Sequence, residues 1–156
     1  MNARLRAVVV LFTEFVAAAT MIPAASAAAT TPTLTNVRVG RHATFDRVVL
    51  DFNGGKPAEV IGAVIPELLC GSGKPVNLPG TFFYEVVSRP AAAHDDNSTY
   101  TGSRKVDTPS LSNVQAFAFT GDLEGHLTVG LGYRRATWQS VSVLESPTRV
   151  VIDIGS

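Results

Sequence analysis

The stretch Phe45-Asp46-Arg47-Val48-Val49-Leu50-Asp51-Phe52 changes side-chain character at every second position, the period of a β-strand. Val48, Leu50 and Phe52 fall on one face and Arg47, Val49 and Asp51 on the other, so the first face is expected to be core. Asn53-Gly54-Gly55 then ends the strand with residues that tolerate positive φ.

Working outward, the same period predicts strands over Leu34 to Val39, Ala58 to Val64, Thr81 to Ser88, Val114 to Thr120, His126 to Tyr133, Trp138 to Leu144 and Arg149 to Ile154. Pro57, Pro66, Gly71-Ser72-Gly73, Pro79-Gly80, Gly121-Asp122, Gly125 and Pro147 separate these runs with turn chemistry. Eight short strands spaced this way imply an all-β domain, a small β-sandwich. Pro66 to Cys70 lacks β-branched residues at Glu67-Leu68-Leu69 and is expected to make one helical or 3₁₀ turn. Ala91 to Pro109 is the one long unpatterned stretch, and loops of that length are usually functional or disordered.

The deciding strand has an echo, Arg149-Val150-Val151-Ile152-Asp153-Ile154. In both copies Arg and Asp are four apart and so share a face. Cross-strand neighbours could align them into a charged outer row. The two are read as equivalent strands of two sheets.

The chain of 156 residues begins with Arg4 and Arg6, the apolar run Ala7 to Ile22 and the small-residue segment Pro23-Ala24-Ala25-Ser26-Ala27, the order of a secretory leader. A membrane helix needs about 20 apolar residues, and this run is shorter and holds Glu14 in its middle. Cleavage near Ala27 is therefore expected, giving residues 28–33 as a flexible tether, residues 34–156 as one domain, and a secreted or envelope-associated protein without a membrane anchor. Lys plus Arg and Asp plus Glu number 13 each, so no long-range field draws the protein to nucleic acid. Cys70 is the one cysteine, which excludes an internal disulfide and reads as a structural thiol. No ligand spacing points to a metal, and no cofactor is expected.

The two Arg-Val-Val-x-Asp strands resemble the AMIN superfamily of bacterial envelope modules, and more closely the AMIN-like domain of exported bacterial envelope proteins. The likeness is carried by residues 45–52 with Gly54, by Gly71-Ser72-Gly73, and by the His94-Asp95 loop. Gly121-Asp122-Leu123-Glu124-Gly125 ahead of Gly130-Leu131-Gly132, and the closing Ser146-Pro147-Thr148-Arg149-Val150-Val151-Ile152-Asp153, complete it. The likeness spans about Leu34 to Ile154. It implies a β-sandwich of the kind that targets cell-wall amidases and secretins to the envelope, with peptidoglycan binding as its activity. No amidase or secretin domain follows Ser156 and no lipobox cysteine is present, so a free protein is expected.

Tyr133, Arg134, Arg135 and Trp138 are the candidate ligand surface, because aromatic faces stack on sugar rings and guanidinium groups pair with the carboxylates of wall peptides. The competing reading puts the lone Trp in the core and both arginines in a solvated turn. His94 and Asp95 are a second candidate pair, weighed against plain solvated loop residues; Asn97-Ser98-Thr99 matches a glycosylation sequon. Gly71-Ser72-Gly73 lacks the nucleophile-elbow pattern and reads as a turn. Glu85, Asp122 and Glu124 are the carboxylates a glycan hydrolase would need. The expected function is a non-catalytic envelope module that binds peptidoglycan or another wall component. The alternatives are a protein-interaction domain acting through a sheet edge or the 91–109 loop, with an envelope protein as partner, and a small hydrolase.

Overall fold

Nine strands are laid down in chain order: β1 (Thr33–Arg41), β2 (Phe45–Asn53), β3 (Glu59–Ile65), β4 (Phe82–Arg89), β5 (Lys105–Asp107), β6 (Val114–Leu123), β7 (His126–Tyr133), β8 (Gln139–Leu144) and β9 (Thr148–Gly155). They are seen in a computed structural model that describes residues 30–94 and 100–156. The expected leader, residues 1–27, and the sequon at 97–99 lie outside the described residues. Of the expected tether, Thr30 and Pro32 are already tied down: the Thr30 hydroxyl donates to the Gly54 carbonyl and the Ala92 amide to the Pro32 carbonyl.

Two antiparallel sheets form, ordered β1-β2-β9-β8 and β3-β4-β7-β6-β5, and among the described residues no helix is present. The sheets face each other across one apolar core. Val48, Leu50 and Phe52 of β2 and Val150, Ile152 and Ile154 of β9 meet Tyr84 and Val86 of β4, Phe117 of β6 and Val129, Leu131 and Tyr133 of β7. The face read as core from the deciding strand is the core. A two-residue turn, Glu124-Gly125, joins β6 to β7 with φ of 52° and 73°, a primed-type hairpin that matches the right-handed strand twist.

Three expectations change. All eight expected strands form, His126 to Tyr133 with the bounds expected and the others with one or both ends shifted, but a ninth, β5, pairs with β6 inside the stretch read as a loop. Its three residues carry one apolar side chain, too short a run for periodicity to register. Residues 66–70 make no helical turn. They form one arm of a narrow hairpin in which the Cys70 amide donates to Lys74 and the Val76 amide to Leu68, at 2.9 and 2.8 Å. This hairpin lies on the outer face of the five-stranded sheet, where Leu68 and Leu78 cover Ala116 and Ala118. Gly130 and Gly132 let it approach, because a Cβ at either would overlap Leu68 or the Pro79 carbonyl.

The third change concerns the echo. β2 and β9 are not in separate sheets but are hydrogen-bonded neighbours, with Arg47 opposite Asp153 and Asp51 opposite Arg149. Antiparallel pairing of two Arg-x-x-x-Asp strands sets each Arg against the other strand's Asp, whereas separate sheets would leave both sets of charges unmatched. Arg47 meets Asp153 in a two-pronged pair at 2.7 and 2.8 Å. Asp51 turns instead to Arg38 of β1, again at 2.8 and 2.7 Å. Those hydrogen bonds hold the Asp51 carboxyl below its ordinary range.

Candidate functional site

The β1–β2 turn, the β7–β8 connection and the end of β9 come together at one end of the four-stranded sheet. His42 and Phe45 close the first turn, with the His42 amide donating to the Phe45 carbonyl at 2.8 Å. Phe45 lies opposite Gly155 on β9, and the Gly155 amide donates to the Trp138 carbonyl. A Cβ on Gly155 would overlap Thr137 and the Trp138 indole. The glycine thus leaves room for the indole to lie across the strand end.

The result is a row of rings. His42 stacks on Phe45 with centroids 4.3 Å apart and planes 13° from parallel, and Trp138 lies 6.0 Å from Phe45 at a tilt of 52°. The Arg47 guanidinium sits 5.1 Å over the Phe45 ring while Asp153 holds its other side, so this cation is fixed in place. Trp138 is 51% exposed and His42 is exposed as well. The reading of the lone Trp as a core residue is overturned.

Arg134 and Arg135 emerge beside this row, both exposed. Their backbone is gripped by Asn113, whose side-chain oxygen accepts from the amides of Arg134 and Arg135 at 3.0 and 2.9 Å. Its nitrogen donates to the carbonyls of Gly155 and Arg135 at 2.7 and 3.2 Å. Arg41, exposed at the end of β1, belongs to the same end. Among the described residues no carboxylate forms an ion pair with Arg41, Arg134 or Arg135. The acids of the adjoining strands are engaged elsewhere: Asp153 with Arg47, and Asp46 with three backbone amides of residues 112–114.

The six residues singled out in the sequence therefore separate. Arg134, Arg135 and Trp138 share this end. Tyr133 does not reach the surface; it is 1% exposed in the core, because it is in phase with Leu127, Val129 and Leu131 on the inward face of β7, and its hydroxyl accepts from Gln139 at 2.9 Å. His94 belongs to the opposite end of the sandwich, and Asp95 lies outside the described residues. His42, Phe45 and Arg41 were not foreseen. An aromatic ring on the polar face of the deciding strand was the available signal for Phe45.

At the far end, Asp122 gathers three partners: the Ala93 amide at 2.9 Å, Arg104 at 2.9 Å and His94 Nδ1 at 3.0 Å. Burial raises the Asp122 carboxyl, but the hydrogen bonds from Ala93, Arg104 and His94 outweigh it and hold the group below its ordinary range. A carboxylate with a lowered folded pKa stabilises the fold above its unfolded pKa and loses that contribution as pH falls through the folded value. Urea titrations from about pH 6 down to about pH 2 should show the wild type losing more stability than Asp122→Asn. Equal losses would mean that Asp122 does not contribute to the acid sensitivity.

The acids a hydrolase would need do not meet. Glu85 accepts from Thr120 at 3.3 Å on the outer sheet face and Asp122 is engaged as described. Glu124 alone of the three lines the groove of about 290 Å³ beside Glu59 and Arg89, which pair with each other at 2.5 Å. Cys70 is half-buried, and the Ser72 hydroxyl 3.1 Å away, with the backbone amides of Ser72 and Lys74, holds its thiol below the ordinary range. Among the described residues no cluster of three or more His, Cys, Asp or Glu side chains could hold a metal.

Compared with known families, residues 32–156 match the model of the AMIN-like domain. No curated protein and no solved structure matches the chain.

Proposed function

The chain belongs to the AMIN-like domain family, and from that membership we propose that it acts in the cell envelope as a non-catalytic module that binds peptidoglycan. Export by cleavage near Ala27 would deliver it there. The observation that supports the reading is the half-exposed Trp138, braced by Phe45, on which His42 stacks in turn, and bordered by Arg41, Arg134 and Arg135. An exposed indole wedged on a sheet end offers a flat apolar face to the C–H face of a sugar, and its bracing lowers the entropy lost on binding. The scattered positions of Glu85, Asp122 and Glu124 favour binding over hydrolysis.

Purified protein mixed with purified peptidoglycan and centrifuged is expected in the pellet, with Trp138→Ala shifting most of it to the supernatant. Trp138 lies outside the core cluster, so the variant is expected to stay folded, with a single cooperative unfolding transition that checks it. Wild-type protein left wholly in the supernatant, alongside a wall binder that sediments, overturns the reading.

A second reading is a protein partner paired to a sheet edge. It is favoured by β3, an edge strand whose Ile61 and Val64 are 44% and 57% exposed. Cross-linking in intact cells tests it, since one discrete protein adduct supports this reading and its absence removes it.

A further inference from the structure

We infer that the ring-and-arginine end selects an acidic saccharide, a sugar whose ring lies on Trp138 while an attached carboxylate or phosphate is met by Arg41, Arg134 or Arg135. The inference rests on the proposed binding function and names the chemistry that the site would read.

The two halves of such a ligand are matched by two different kinds of group. Trp138 and His42 flank Phe45, and both remain exposed to solvent. The cations differ from Arg38 and Arg47 of the same sheet. Arg38 and Arg47 are each neutralised by a two-pronged carboxylate partner, and elsewhere Arg89 and Arg104 each donate a single hydrogen bond to a carboxylate, Glu59 and Asp122 respectively. Arg41, Arg134 and Arg135 have no such partner among the described residues, although the chain carries equal numbers of acids and bases. Three guanidinium groups without a carboxylate partner are thus gathered at one end of a protein whose total charge balances.

Its placement is also constrained. Asn113 spends all four of its side-chain hydrogen bonds on fixing the backbone of Arg134, Arg135 and Gly155. That backbone is therefore held at a set position relative to Trp138, which reduces the ordering cost of pairing with an anion. Guanidinium groups suit planar or tetrahedral oxyanions because they offer paired donors. A neutral sugar would use the rings and leave this charge unused.

Trp138 is the single tryptophan of the chain, so its emission reports on this end alone. The purified protein would be titrated with four probes: a neutral N-acetylglucosamine oligomer, a peptidoglycan disaccharide-peptide with free carboxylates, the same fragment with its carboxylates amidated, and a phosphate-bearing sugar polymer. The free-acid fragment or the phosphate polymer should change the emission at concentrations on the order of tenfold lower than the neutral oligomer or the amidated fragment. Arg134→Gln with Arg135→Gln should remove that difference while leaving the melting temperature unchanged. Which acidic probe binds more tightly tells carboxylate from phosphate sources, and either supports the inference. Equal response to acidic and neutral probes overturns it. So does unchanged emission while the protein still sediments with peptidoglycan, a result that leaves the proposed function standing with a different surface. Failure of both experiments rejects both readings.

Discussion

Replacing Asp46 with alanine is expected to lower the unfolding free energy by about 4 kcal/mol or more, a large part of the roughly 5–15 kcal/mol that holds a domain together. Asp46 is wholly buried on the core side of β2. One carboxylate oxygen accepts from the Ser112 amide at 3.0 Å, and the other from the amides of Asn113 and Val114 at 2.5 and 2.9 Å. The carboxylate of one sheet thereby pins the entry to β6 of the other. Alanine would leave three amides without an acceptor where water has little access. Asparagine would present its own N–H groups to at least one of those donors, so Asp46→Asn should be nearly as damaging. Equilibrium unfolding in urea measures both, and a loss below about 1 kcal/mol in either variant would refute the clasp.

Asp46 also shows how far the sequence could be read. Its position in the alternation places it on the same face as Val48, Leu50 and Phe52, and an acid on a core face announces an unusual partner. The partner lies more than sixty residues away in a loop, where no periodicity extends. Local alternation captured the strands because each buries one face, and the two Arg-x-x-x-Asp motifs carried the register as well. Their assignment to separate sheets failed because closely similar strands suggest symmetry, while their charges favour them as antiparallel neighbours. The outer hairpin of residues 66–80 was legible only indirectly, through glycines at 130 and 132 that a strand would otherwise avoid.

The candidate site was half legible. Arg134, Arg135 and Trp138 are adjacent in sequence, so a turn rich in cations and a ring was visible without structure. His42, Phe45 and Arg41 join them only through the β2–β9 pairing, which sets Phe45 against Gly155. Tyr133 looked equivalent to Trp138 by proximity, but β7 ends at Tyr133, so it keeps the inward phase of the strand while Trp138, five residues on, is free of it. His94, the second candidate, instead serves the opposite end, where Asp122 takes up both its imidazole and Arg104.

Asn113 is where fold and site meet, and Asn113→Ala should affect both by amounts that can be separated. The side chain is fully buried and replaces water for four backbone groups, two amides and two carbonyls. Their loss should cost about 2–3 kcal/mol, less than for Asp46, because Arg134 and Arg135 are exposed and solvent can reach the vacated amides. The effect on binding should exceed what the remaining folded fraction explains. Freed of Asn113, the Arg134–Trp138 segment keeps its composition but loses its fixed path, so ligand must order it at its own expense. Under conditions where the variant is still folded, its affinity for peptidoglycan should fall on the order of tenfold, with Trp138 emission shifted toward that of a more solvated indole. Asn113→Asp separates the two roles further: it keeps an acceptor for the amides of Arg134 and Arg135 but sets a carboxylate against the Gly155 and Arg135 carbonyls. It should therefore destabilise at least as much as alanine. If instead Asn113→Ala lowers stability while the folded protein binds as tightly as wild type, the rings and arginines are positioned by the strands alone, through Gly155 and Phe45, and Asn113 is a clasp of the fold without a part in recognition.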